Sequence, residues 1–141
     1  MPLYKTFITV RFNEVDMYQI VWHGRFIEYF EIARNQLAQK FGLDPINLKK
    51  KGYMAPVIEL SCRYFLPAKL NDNLVIETGI KPSDTAKLIF IYNLFRSNSN
   101  NELIAKGETI HVITTLDGVL LYHIPDEIDK SLKAMIDYLQ R

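Results

Sequence analysis

The order of apolar patterns along this 141-residue chain predicts an α+β fold, with one antiparallel sheet packed on one main helix. Three observations carry that reading. Gly24 to Phe41 holds a single long apolar stripe at helical spacing. A run of strand-like segments follows it. Turn signals join several of those segments, notably Ser97-Asn-Ser-Asn-Asn101 and the two-residue hairpin pair Asp117-Gly118.

Each element has its own reason. Thr6 to Phe12 is β-branched and aromatic, which predicts a first strand. Asn13 to Trp22 is a connection. In the helix, Phe26, Phe30, Ala33, Leu37 and Phe41 form the stripe, Tyr29 and Ile32 widen it, and Gly42 supplies the C-terminal cap. Asp44-Pro45 opens a short helix to Lys50, with Asp44 as N-cap and proline in the first turn. Met54 to Tyr64 reads as one long strand, and Pro67 to Asp72 as a turn. Leu74 to Lys81 alternates as a half-buried strand. Lys87 to Phe95 is nearly all apolar, which predicts cover on both faces. Leu103 to Thr115 is another strand, and Val119 to His123 returns from the Asp117-Gly118 turn. Pro125-Asp126 starts a last helix with Ile128, Leu132, Met135, Ile136 and Leu139 on one side.

The length suits a single domain over residues 1–141. Hydrophobic residues make up 48% and charged residues 23%, as in soluble globular proteins. A formal net charge of +1 gives no sign of a nucleic-acid partner. The only basic run, Lys49-Lys50-Lys51, reads as a solvated loop or a phosphate contact. Cys62 is alone, so no internal disulfide can form, and its strand pattern predicts a small buried side chain. No apolar run reaches the roughly 18 residues of a membrane span, and no signal-peptide pattern opens the chain. A cytoplasmic location is the expectation.

Chemistry concentrates before and within the long helix. Glycine-rich phosphate loops, C-x-x-C, G-x-S-x-G and H-E-x-x-H are all missing from the sequence. Glu14, Asp16, His23, Glu31 and Arg34 are the candidates. A helix start offers free N–H groups and partial positive charge, and a nearby aspartate offers a base or nucleophile. Asp16 could equally serve as a turn residue, and the His23 imidazole could only pack. Glu31 with Arg34 reads as a structural ion pair, or Glu31 as a group that orients the site. His111 and His123 read as structural. Trp22 and Phe26 read as core residues or walls of a pocket. A metal held by Asp16, His23 and Glu31 is not expected.

Three blocks, Arg11-Phe-Asn-Glu14-Val-Asp16, Val21-Trp22-His23-Gly24-Arg25-Phe26 and Phe30-Glu31-Ile-Ala33-Arg34, resemble the signature of the hotdog-fold acyl-CoA thioesterases. The similarity is to the 4-hydroxybenzoyl-CoA thioesterase type, including the bacterial short acyl-CoA thioesterases encoded beside the Tol-Pal genes. Arg63-Tyr64-Phe-Leu-Pro67-Ala68 followed by Asp72 resembles that family's turn into its third strand. The resemblance implies an antiparallel sheet wrapped around a long central helix. It also implies subunits paired edge to edge as a homodimer or homotetramer, with the acyl-CoA at the interface. Asp16 matches the family's catalytic aspartate, and His23 the position whose backbone N–H polarises the thioester carbonyl. Val21, Trp22, Gly24, Arg25, Phe26 and Glu31 are the matching candidates for substrate contact. No cofactor is implied beyond the coenzyme A of the substrate.

The chain departs from the family pattern twice. Gln19 stands where glycine is usual and could reorient the loop, since glycine reaches backbone angles that glutamine resists. Arg25 stands where asparagine is common and could pair with a carboxylate or a CoA phosphate, or reject some acyl groups. The function implied is hydrolysis of acyl-CoA to a carboxylic acid and free CoA. The alternatives are an acyl-carrier-protein thioesterase and a non-catalytic acyl-CoA binding protein. Arg63, Lys69 and Arg96 are candidate contacts for the CoA nucleotide.

Overall fold

The computed structural model describes residues 3–98 and 100–141, so Ser99 of the predicted polar hairpin loop lies outside the described residues. The elements in chain order are β1 (Tyr4–Thr9), α1 (Arg25–Gln39), α2 (Pro45–Lys50), β2 (Tyr53–Met54), β3 (Val57–Tyr64), β4 (Asn73–Lys81), β5 (Lys87–Arg96), β6 (Leu103–Val112), β7 (Thr114–Thr115) and α3 (Asp126–Leu139). Five strands make one antiparallel sheet in the order β1-β4-β5-β6-β3, and β2 pairs with β7.

The sheet buries one side because its side chains alternate with period two. Leu74, Ile76, Thr78 and Ile80 of β4 and Leu88, Phe90, Tyr92 and Leu94 of β5 are buried. Helix α1 covers that side with Phe26, Tyr29, Phe30, Ala33, Leu37 and Ala38. The Phe30 and Tyr92 rings stack with centroids 4.7 Å apart. Gly107 of β6 lets Phe30 approach, for a Cβ there would lie 2.3 Å from the ring. Gly42, at φ +69°, ends the helix as expected.

Several boundaries differ from the sequence expectation. The first strand stops at Thr9, and Phe12–Glu14 is a single 3-10 turn, closed by the Arg11 N–H donating to the Glu14 carboxylate at 2.8 Å. The segment Met54 to Tyr64 breaks at Ala55-Pro56, because proline has no N–H to give a ladder. Beyond that break the chain changes partners, from β7 to β6. Leu103 to Thr115 breaks likewise at Ile113. Val119 to His123 is not a strand; Leu120 makes only a bridge to Thr114. The second face of β5 is half-buried, not covered, because α1 lies on one side of the sheet only. Lys49 and Lys50 belong to the last turn of α2. Cys62 is only half-buried.

The reason for that last difference matters most for function. Strand β3 is an edge, and among the described residues no strand pairs with its other side. Its Val57, Ile58, Leu60 and Tyr64 are 42–48% exposed, although Leu60 and Tyr64 stand opposite the buried residues Thr109 and Ala105 of β6.

Candidate active site

Asp16 is held by the loop that joins β1 to α1. Its Oδ1 accepts the Tyr18 N–H at 2.8 Å. Its own N–H donates to the Ile20 carbonyl at 2.8 Å, and the Gln19 N–H donates back to the Asp16 carbonyl at 3.0 Å. This tight turn puts Gln19 at φ +64°, the left-handed region that favours glycine. Glutamine therefore takes up the backbone shape rather than reorienting the loop.

The loop is fastened at both sides. Glu14 is buried, and its carboxylate accepts from the Arg11 N–H at 2.8 Å, the Arg11 guanidinium at 3.2 Å and the Tyr29 hydroxyl at 3.0 Å. Burial alone would raise its pKa; the Arg11 and Tyr29 bonds outweigh that and hold it below the ordinary value. Burial first, then the Glu14 carboxylate, pushes the Tyr29 hydroxyl well up, so it stays a donor. The Val21 N–H donates to the Ala68 carbonyl at 2.7 Å, and the Trp22 N–H to the Glu14 carbonyl at 3.2 Å. Glu14 is thus the anchor of the loop, a role that carboxylates in a sequence do not announce.

Asp16 and His23 line the same cleft, with Ile20, Val21, Phe26, Tyr64, Phe65, Leu66 and Pro67, and its volume is about 300 Å³. His23 stands just before α1, whose N-cap is Gly24. The Arg25 and Phe26 N–H groups fold back to the Trp22 and His23 carbonyls. Among the described residues, neither backbone nor side chain accepts from the His23 N–H. The Tyr64 hydroxyl fixes the same peptide segment from β3, donating to the His23 carbonyl at 3.0 Å. Burial and the neighbouring Cys62 push Tyr64 up to about 12, so it keeps that proton. The His23 ring packs 4.8 Å from the Trp22 ring, centroid to centroid.

The other predicted residues divide. Val21 and Phe26 are buried walls of the cleft. Trp22 is 54% exposed and belongs to neither core nor cleft; its ring covers Gly24, where a Cβ would lie 2.2 Å from it. Arg25 is engaged by the Glu28 carboxylate at 2.9 Å and the Asn13 carbonyl at 3.3 Å, so of its predicted roles the carboxylate pair is the one formed. Glu31 is exposed and outside the cleft, and the Glu31–Arg34 pair does not form; Arg34 donates instead to the Tyr92 hydroxyl at 3.3 Å. Arg96 is committed to Asp72, Glu102 and the Pro67 carbonyl, which removes it as a CoA contact. Tyr64 and Phe65 were hidden from sequence reasoning, because only the sheet order brings the end of β3 to the helix start. Among the described residues, no group of three or more carboxylate, histidine or cysteine side chains could hold a metal.

A sheet of this strand order around one long helix, with an acidic loop at the helix start, is the hotdog fold. Residues 10–132 match the thioesterase-like superfamily, and the chain belongs to that family. It is 26% identical to the acyl-CoA thioesterase YbgC of Haemophilus influenzae, covering 94% of this chain and 93% of that protein. Two solved structures share the fold. A 1,4-dihydroxy-2-naphthoyl-CoA thioesterase from Synechocystis superposes with TM-score 0.84 at 19% identity, covering 98% of both chains. A DHNA-CoA thioesterase from Staphylococcus aureus gives TM-score 0.83 at 21% identity, covering 99% of this chain and 92% of that one.

Proposed function

We propose that this protein hydrolyses acyl-CoA thioesters to a carboxylic acid and free CoA, with Asp16 and the His23 backbone N–H as the reacting site. The observation that supports the reading is that Asp16 and His23 line one cleft, and that the His23 N–H has no acceptor among the described residues. Attack on a thioester carbonyl puts negative charge on its oxygen. A fixed N–H at the positive end of a 15-residue helix stabilises that charge, a contribution of about 10²–10³ in rate. One Asp16 oxygen is occupied by the Tyr18 N–H, which orients the carboxylate. Its other oxygen either takes a proton from water or attacks the carbonyl to form an anhydride that water then opens. Neither route needs a cofactor.

The same reading includes a homodimer or homotetramer built on the β3 edge, supported by the exposed apolar residues there. It also includes a cytoplasmic location, supported by the single free thiol of Cys62. No helix of the structure is long and apolar enough to cross a membrane.

Thiol release from a panel of aliphatic and aromatic acyl-CoAs, by wild type and Asp16→Asn, tests the assignment. Turnover of an ester should fall about 10²–10⁴-fold in the variant while the fold and ester binding persist. Binding with an unchanged rate in the variant would favour the non-catalytic alternative. Single turnover in ¹⁸O-water identifies a nucleophile when the first acid released is unlabelled, its oxygen coming from Asp16 and water having opened the anhydride at the Asp16 carbonyl; a labelled acid fits the base or opening at the acyl carbonyl.

A further inference from the structure

A second cavity of about 300 Å³ lies at the other end of α1, lined mainly by Ala38, Leu43, Leu48, Pro56, Leu88 and Phe90. Three polar side chains also face it: Arg34, Asn35 and His111. Their hydrogen bonds decide which of them a ligand can use.

His111 is already spent. Its Nδ1 lies 2.9 Å from the Ala55 carbonyl, which can only accept, so Nδ1 carries the proton. Its Nε2 lies 2.9 Å from the Thr109 hydroxyl, which must then donate. Thr109 therefore accepts from the Tyr92 hydroxyl at 2.7 Å, and Tyr92 accepts from Arg34 at 3.3 Å. The chain of bonds runs one way, from guanidinium to carbonyl, and both ring nitrogens are consumed. Arg34 is different. It is half-buried, one weak bond uses one of its five donors, and no ion pair among the described residues includes it. The Asn35 carboxamide, next to it, has no hydrogen-bond partner among the described residues. A guanidinium without a counter-charge on an apolar wall favours an anion there.

We propose that this cavity binds a small molecule with an apolar body and a carboxylate head, held by Arg34 with Asn35. An apolar cavity of about 150 Å³ takes one benzene, so twice that volume suits a body of about eight to ten carbons. The carboxylate has two sources. One is a free acid, which is also what thioester hydrolysis releases. The other is the far end of an acyl group that carries a second carboxylate. In one subunit the cavity and the Asp16 cleft are separated along α1 by about 12 Å between Phe26 and Arg34. They also lie at opposite ends of β3, so antiparallel pairing of two β3 edges would turn one copy's cleft toward the other's cavity.

The test is ligand-detected NMR on the intact protein with octanoate and octanamide. The acid should bind about tenfold tighter than the amide. Arg34→Gln should erase that preference, and Arg34→Lys should keep part of it. Ala38→Leu fills the cavity without touching the Arg34–Tyr92 bond and should exclude both ligands. Failure of octanoate to bind, or a preference that survives Arg34→Gln, overturns the site. None of these readouts needs turnover, so they stand apart from the thioesterase reading. Turnover of an ω-carboxyacyl-CoA against the plain ester of equal length then names the source. A preference lost in Arg34→Gln assigns the site to the acyl end; no preference, with octanoate bound, assigns it to the free acid.

Discussion

Mild acid should destabilise this protein chiefly through the ring of His111. The side chain is 3% exposed, and burial lowers its pKa from 6.5 to about 4, more than its bond to the Ala55 carbonyl restores. The unfolded chain therefore takes up a proton near pH 6.5, whereas the folded chain resists until about pH 4. Between those values the unfolded state binds more protons, so stability falls as pH falls. The full gap is worth about 3 kcal/mol, and about 2 kcal/mol of it is lost between pH 7 and pH 5. Glu14 has its pKa depressed below 4.5, so its own contribution is lost only under more acidic conditions and leaves this window clear. Urea unfolding followed by far-ultraviolet circular dichroism, at half-unit steps from pH 7 to pH 5, measures the slope. His111→Gln is less stable at every pH but should show little of that slope. Parallel curves for wild type and variant would refute the argument.

Three substitutions test other parts of the structure. Gln19→Gly relieves a left-handed glutamine and should raise stability by about 0.5–1 kcal/mol, read as a higher melting temperature with the turn of Asp16 intact. Gly107→Ala drives a methyl into the Phe30 ring, 2.3 Å away, and should cost about 1–3 kcal/mol in urea unfolding. Tyr29→Phe removes one of the bonds to buried Glu14 and should cost about 2 kcal/mol, with faster amide exchange across residues 14–22.

The long helix and most strands were legible because burial on one side imposes a period on the sequence, and α1 and β4 obey it closely. Two of the differences fell where the chain changes partner: at Ala55-Pro56, where the proline was the available signal, and at Ile113, where the apolar pattern runs on unbroken. That Asp16 and His23 line one cleft follows from their closeness in sequence, because one loop carries both. The Glu31–Arg34 spacing also allowed a pair, but the competitor, Tyr92, is 58 residues away and enters only through the sheet. The anchoring role of Glu14, itself a named candidate, and the role of Tyr64 escaped for the same reason: each depends on a partner brought up by the fold, Tyr29 in one case and the His23 carbonyl in the other. Both ends of the Arg34-to-Ala55 chain of bonds likewise come from distant parts of the sequence.

The groups proposed to react occupy one continuous stretch, Asp16 to His23, anchored through the bond between Glu14 and Tyr29. Tyr64, Phe65, Leu66 and Pro67, on the opposite wall, arrive from a separate part of the chain. On the proposed function, changes at Phe65 or Leu66 alter what the cleft accepts while the Asp16–His23 loop is inherited whole. Divergence of substrate range without loss of reaction type is the evolutionary behaviour such an arrangement favours.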